Sequence, residues 1–207
     1  MQERTVLRKG AEAELVKTSF LDKKALLKDR VPKEYRVHKL DESIRRERTK
    51  QEAVLLHKAK ELGIRTPIIY AIERDNCAIV MEFVEGKRLK DALNKKNFSA
   101  HCKALGEKIA ALHNAGLVHG DLTTSNVIVH PDSETLVFVD FGLGFFSEKI
   151  EDKAVDLLNL KKTFEATHHS LMPAAWEQIT KVYSKNSAQG AMVVEQISEI
   201  EKRARYL

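Results

Sequence analysis

Two short clusters constrain this 207-residue chain more than anything else in it: His119-Gly-Asp-Leu-Thr-Thr-Ser-Asn126 and Asp140-Phe-Gly142, with fourteen positions from Asn126 to Asp140. Between them, Val127–Val129 and Leu136–Asp140 flank His-Pro-Asp-Ser-Glu-Thr, a turn-rich stretch that predicts a β-hairpin. Either cluster alone would be common noise. The two together, in this order and at this spacing, are specific.

The rest of the chain divides around them. Thr5–Arg8, Leu15–Leu21 and Lys24–Lys28 read as strands, followed by a basic loop from Asp29 to Arg36. Asp41 is a plausible N-cap for a long helix ending before Gly63. Ile68–Glu73 and Cys77–Phe83 read as two more strands. Beyond them the pattern turns helical. Ser99 is placed to cap a helix whose Cys102, Leu105, Ile109 and Leu112 form a three-and-four stripe, with Gly116 ending it. Helices are also predicted near Asp152–Ala166, Ala174–Tyr183 and Ala191–Ala204. The expected fold is α+β and bilobal: a small strand-rich lobe over residues 1–83 and a mainly helical lobe over residues 84–207, one domain with a cleft near Glu82–Gly86.

The clusters match, in residue type, order and spacing, the catalytic loop and magnesium motif of protein kinases. The chemistry explains the match. Asp121 can orient, and take a proton from, an attacking hydroxyl or water; Asn126 and Asp140 can supply oxygens to Mg²⁺, with Mn²⁺ as a substitute, bridging the phosphates of ATP. Gly142 is expected to let the backbone turn sharply beside the metal. Such a cleft also needs a strand lysine for the phosphates and a helix glutamate to hold it. Lys28 fits the first role, although Lys23 and Lys24 lie close by. For the second, Glu52 shares a face with Leu55, Ala59 and Leu62, whereas Glu47 sits among Arg45, Arg46 and Arg48; Glu52 is the choice. Gly10, Ala11, Glu12 and Ala13 stand where a phosphate-covering loop belongs, with one glycine instead of three and an acid that would repel phosphate unless a cation holds it. Met81, Glu82 and Val84 stand where backbone groups would bind adenine. His168-His169 reads as core or capping residues, not a metal site, and Trp176, Ile179 and Val182 as packing.

Composition adds limits. The net charge of +5 permits an acidic partner such as RNA. No apolar run approaches a membrane span, and Met1–Gly10 lacks the apolar core of a secretory signal, so a cytoplasmic protein without membrane or DNA contacts is expected. Cys77 and Cys102 read as reduced core residues.

These motifs resemble the atypical small kinase subunit of the KEOPS (EKC) complex, the PRPK-type family. The likeness runs through Gly10-Ala-Glu-Ala13, Lys28-Asp-Arg with Pro-Lys-x-Tyr-Arg36, Arg48-Thr-x-x-Glu-Ala53, Met81-Glu-Phe, the two clusters and Lys153-Ala-Val-Asp-Leu157. The resemblance implies a serine/threonine kinase or ATPase that assists an ASKHA-fold tRNA threonylcarbamoyltransferase subunit and other KEOPS subunits, meeting tRNA through the complex. It also implies that Asp156 braces the catalytic loop. Only nine residues separate Gly142 from Asp152, too few for a peptide-docking activation segment. The C-terminal Glu201-Lys-Arg-Ala-Arg-Tyr-Leu207 departs from the arginine-rich tail of that family, yet its cations are expected to meet tRNA phosphates or an acidic protein surface.

Three other readings compete with this one. A small-molecule phosphotransferase of the aminoglycoside or choline kind would enlarge the thirty-four residues between Val84 and His119. A RIO-type kinase would carry a different phosphate loop and usually lacks Asp-Phe-Gly. A non-catalytic scaffold would commonly have lost one of Lys28, Glu52, Asp121, Asn126 and Asp140.

Overall fold

The chain is described by a computed structural model covering residues 5–10 and 12–204. Five antiparallel strands, β1 (Thr5–Lys9), β2 (Glu14–Phe20), β3 (Lys23–Asp29), β4 (Ile69–Glu73) and β5 (Ala78–Glu82), form a sheet in the order β1-β2-β3-β5-β4. β2 and β3 are joined through Leu21 and Asp22, at φ 46° and 61°, with Phe20 opposite Lys23. Two consecutive left-handed residues make the tight hairpin turn whose twist suits flanking strands, one position earlier than the sequence pattern placed it.

Helix α1 (His38–Glu61) crosses between β3 and β4. It begins before Asp41, and its N-cap, Val37, makes no side-chain cap. Asp41 is not the N-cap, because its buried carboxylate is engaged one turn further on: Arg45 Nε donates to it at 2.7 Å, and Arg36 lies at 3.6 Å. The helix ends as expected before Gly63, which takes φ 77°.

The helical part begins with β6 (Lys87–Arg88) and α2 (Leu89–Ala92), then α3 (Phe98–Asn114). Ser99 lies inside α3 rather than capping it, since the helix starts at Phe98 and Asn97 precedes it. The stripe Cys102, Leu105, Ile109 and Leu112 is completely buried. Next come β7 (Leu117–Val118), the hairpin β8 (Val127–Val129) and β9 (Leu136–Phe138), β10 (Phe145–Phe146), and α4 (Ile150–Thr167), α5 (Met172–Asn186) and α6 (Gly190–Ala204). α4 starts two residues before Asp152, whose carboxylate accepts from Ser147 Oγ at 2.6 Å. The short stretch after Gly142 is strapped down: β10 pairs with β7, Phe145 opposite Val118 and Phe146 opposite Leu117.

One hydrophobic core joins Leu105, Ile109, Leu157, Phe164, Ile179 and Tyr183, and it includes Leu55 and Leu56 of α1. The end of α1 is therefore packed into the helical part, which fixes the side chains one turn upstream of Leu55. Both cysteines are buried and free. Among the described residues, no helix is long and apolar enough to cross a membrane.

Because Leu105 is fully enclosed between these helices, Leu105→Ala should lower unfolding free energy by about 2–5 kcal/mol, the range for opening a leucine-sized core cavity. Urea unfolding monitored by circular dichroism measures it.

Candidate active site

The sheet and the helical part enclose a cleft made of two adjoining cavities of about 350 and 330 Å³, which share Arg8, Leu15, Lys28, Arg88, Ser125, Asn126 and Asp140 in their walls. The first is polar, walled by the basic groups Arg8, Lys28, Arg30, Arg88 and Lys90 and the acids Glu12, Asp121 and Asp140. Five cations against three carboxylates suit a polyanion. The second is lined by Leu15, Leu26, Met81, Phe83, Ile128 and Val139, with Glu82 and Val84 at its edge, and suits a flat apolar ring.

At the cleft floor, Lys28 Nζ donates to Glu52 Oε1 at 2.7 Å and to Asp140 Oδ1 at 2.6 Å. Lys28 is buried, whereas Lys23 is exposed and Lys24 pairs with Glu85 at the surface. Glu52 is 1 % exposed and Glu47 faces solvent. The second oxygen of Glu52 accepts from Arg30 Nη2 at 2.6 Å. Sequence reasoning placed Arg30 in a basic loop; it is instead 3 % exposed. The overlooked signal is strand period: Arg30 lies two residues beyond Lys28, so both side chains leave the strand direction on one face.

Asp121 and Asn126 form the opposite wall. The Asn126 amide nitrogen donates to the Asp121 backbone oxygen at 2.9 Å and to its carboxylate at 2.8 Å, which leaves the Asn126 side-chain oxygen as the atom free for a cation. The loop rests on Asp156 of α4, whose oxygens accept from the amides of His119 and Gly120 at 2.9 Å each. Asp156 is in turn held by His113 Nε2 at 3.2 Å, and His113 Nδ1 by the Tyr183 hydroxyl at 2.9 Å. Burial pushes the Tyr183 hydroxyl up to about 12, so it remains a donor. His119 Nε2 donates to Val139 O at 3.2 Å, tying the loop to the segment that follows β9 and carries Asp140. Gly120 has no substitute here: φ is 80°, and a Cβ would stand 2.1 Å from Leu143 O.

Gly142 does turn the backbone, at the first corner of a turn closed by Gly144 N donating to Phe141 O at 2.9 Å, but without a left-handed φ. The left-handed residue is Asp140 itself, at φ 62°, a conformation an aspartate tolerates only where its surroundings hold it. Gly142 supplies room: a Cβ there would come within 2.9 Å of Arg30 Nη2 and 3.1 Å of Asp140 Oδ1.

In the loop over the polar cavity, Gly10, Glu12 and Ala13 line the wall; Ala11 lies outside the described residues. Glu12 is held by cations, as phosphate beside it would require: Arg48 at 2.6 Å and Arg30 at 3.7 Å. Glu82 has its carboxylate on Arg65 and on the Ile68 amide, and its own amide donates to Ile68 O at 2.7 Å. His168 is buried at the end of α4 against the Phe164 ring, and His169 is exposed. Among the described residues no group of three or more His, Cys, Asp and Glu could hold a metal by itself. A magnesium ion would thus need phosphate oxygens beside Asp140 and Asn126, and such shared coordination is its usual manner. The terminal cations pair locally, Lys202 with Glu199 and Arg203 with Glu151, while Arg205 lies outside the described residues.

A sequence model of the RIO domain matches residues 14–167. The KEOPS complex subunit Bud32 of Pyrococcus abyssi is 38 % identical, over 97 % of this chain and 96 % of its own. A probable bifunctional tRNA threonylcarbamoyladenosine biosynthesis protein of Methanococcus vannielii is 41 % identical over 99 % of this chain, which spans only 36 % of that protein's length. Among solved structures, the Rio2 kinase–ADP/Mg²⁺–phosphoaspartate complex of Chaetomium thermophilum superimposes with a TM-score of 0.70 at 16 % identity, covering all of this chain and 72 % of that one. WaaP in complex with acyl carrier protein gives 0.71 at 16 %, covering 99 % and 89 %. At that identity the two structures speak for the kinase-like fold alone. The RIO match removes the contrast drawn from the phosphate loop and Asp-Phe-Gly, for the two kinase readings describe one chain.

Burial disfavours the Lys28 ammonium, but Glu52 and Asp140 outweigh it and hold its pKa above 10.5. Burial likewise disfavours the Asp140 carboxylate, yet Lys28 holds it below 3.8. The Lys28 contribution to stability is complete below 10.5 and disappears as pH rises through the folded value; that of Asp140 is complete above 3.8 and disappears as pH falls through its folded value. The difference in unfolding free energy between wild type and Asp140→Asn should therefore be flat from about pH 5 to 9 and change at both ends. Urea titrations of the two proteins across pH test this.

Proposed function

This chain belongs to the RIO-domain family, and within it to the family of the KEOPS subunit Bud32; from that membership we propose that it is a Mg-ATP-dependent atypical serine/threonine kinase or ATPase that assists threonylcarbamoyladenosine modification of tRNA. The observation that carries the reading is the cleft itself. Lys28, Glu52 and Asp140 meet on its floor, Asp121 and Asn126 face them, and an apolar cavity adjoins.

In this reading the adenine ring enters the apolar cavity beside Met81, with the backbone of Glu82 and Val84 as its hydrogen-bonding edge. The triphosphate lies in the polar cavity under Gly10, Ala11, Glu12 and Ala13. Lys28 carries its ammonium to the phosphate oxygens while Glu52 keeps it in place. Asp140 and Asn126 hold the magnesium ion, which supplies positive charge for the phosphate oxygens. Asp121, fixed by the Asn126 amide, orients the attacking hydroxyl or water and accepts its proton. The residues fit these tasks: Asp140 is about half exposed toward the cleft, and the Asn126 nitrogen is already committed to Asp121. The nine residues after Gly142 are strapped by β10 against β7, so a broad peptide platform is lacking among the described residues. That favours ATP hydrolysis, autophosphorylation or action on a held partner over phosphorylation of diverse peptides.

By the same family membership, the proposed partners are the threonylcarbamoyltransferase subunit, the other KEOPS subunits and, through them, tRNA, in the cytoplasm. ATP turnover, measured with Mg²⁺ alone and then with KEOPS subunits and tRNA, tests the reading. Asp140→Ala and Asp121→Asn should each reduce it by about a hundredfold or more while preserving the circular dichroism spectrum. Half the wild-type turnover in either variant would refute the assignment of that residue. Removing residues 202–207 should spare ATP binding but lower the partner- and tRNA-dependent rate. An unchanged rate would reduce the tail to a helix end.

A further inference from the structure

Glu52 receives a second cation that the phosphate-binding scheme does not use. Arg30 Nη2 meets its Oε2 at 2.6 Å, while Lys28 takes Oε1. Both ends of the Arg30 side chain's setting are fixed. Its backbone amide donates to Cys77 O at 3.3 Å, and its carbonyl accepts from Arg45 Nη1 at 3.1 Å. The guanidinium also lies so close to Gly142 that any side chain there would strike it, and its Nη1 is 3.7 Å from Glu12 of the phosphate loop. Arg30 thus touches the metal motif, helix α1 and the phosphate loop at once.

A carboxylate held at one oxygen can swing about its last torsion; held at both by a planar fork and an ammonium, it cannot without giving up a pair. The constraint matters when nucleotide arrives. In the phosphate-transfer reading Asp140 would turn to the metal, and Glu52 would be the remaining protein anion on Lys28. Where Glu52 points decides where the ammonium points. A buried carboxylate stripped of one of two cations is also poorly compensated, so it would pull Lys28 back from the phosphates.

We infer that Arg30 is a positioning residue for phosphate chemistry: it fixes Glu52, through Glu52 it aims Lys28, and through Glu12 it ties the phosphate loop to that pair. The inference rests on the phosphate-transfer reading above.

The test is a double-mutant cycle of Arg30→Met and Glu52→Gln in the full chain, assayed with its partners for ATP turnover and by calorimetry for Mg-ADP affinity. Arg30→Met alone should lower kcat about tenfold or more, and Arg30→Lys, which cannot span both carboxylates, should restore it only in part. In the Glu52→Gln background the same Arg30→Met change should alter turnover by less than about threefold, because the carboxylate it fixes is gone and only the longer tie to Glu12 remains. A purely structural arginine would give equal fold losses in both backgrounds. Equal losses, or an Arg30→Met turnover within about twofold of wild type, overturn the inference. Should Arg30→Met not fold, the cycle of Arg30→Lys with Glu52→Gln carries the same comparison. If wild type binds Mg-ADP but hydrolyses no ATP under any condition, the proposed activity fails. The cycle is then read in Mg-ADP affinity, where non-additivity upholds the positioning role and additivity overturns it. If wild type binds no Mg-ADP, both fall.

Discussion

A carboxylate buried as deeply as that of Glu52 would destabilise the fold if it were left without cations, and the arrangement of the cleft follows from how it is satisfied. Its two oxygens take Lys28 of β3 and Arg30 just beyond the end of that strand, so one charged group on α1 sets the spacing between helix and sheet. Lys28 then reaches across to Asp140 at the end of the hairpin. Two cations and two carboxylates from three separate stretches of chain end up in one cluster. Leu55 and Leu56, one turn beyond Glu52 and packed in the helical core, keep α1 from sliding along the sheet.

Asp156 plays the matching role below the cleft. It takes the amides of His119 and Gly120, and its own orientation is set by His113 and Tyr183. The loop from His119 to Asn126 therefore hangs from a buried network anchored in α3, α4 and α5, while His119 ties it sideways to Val139. Preorganisation of this kind keeps Asp121 and Asn126 at hydrogen-bonding distance before any ligand arrives. The positive φ of Asp140 belongs to the same economy of constraint, because its surroundings fix a backbone state that aspartate rarely adopts.

Much of this was legible in the chain. The strands, the long helix and its inward Glu52, the fully buried stripe from Cys102 to Leu112 and the hairpin between Asn126 and Asp140 all follow from periodicity and turn chemistry. Helix starts were less legible. Asp41 and Ser99 have the composition of caps, but Asp41 is claimed by Arg45 and Arg36, and α3 begins before Ser99. Nothing local announces such long-range partners. Arg30 illustrates the same limit: its neighbours suggest a solvated basic loop, and only its two-residue offset from Lys28 hints that it shares the buried face. The His113–Asp156–Tyr183 network spans α3, α4 and α5 and had no local signature beyond the family's Asp156. Gly142 was singled out for a turn and does make one, between Phe141 and Gly144; that it also makes room for Arg30, and that the left-handed residue beside it is Asp140, had no local signal.

In the proposed function, this cluster and the wall opposite it form the phosphate and metal site of one nucleotide. Diffraction from crystals grown with Mn²⁺ and a non-hydrolysable ATP analogue, recorded at the manganese absorption edge, tests it most directly. The anomalous peak should lie between the side-chain oxygens of Asp140 and Asn126, with Lys28 on the phosphates and still paired to Glu52. A peak away from those two residues, or an analogue bound outside the two adjoining cavities, would contradict that assignment.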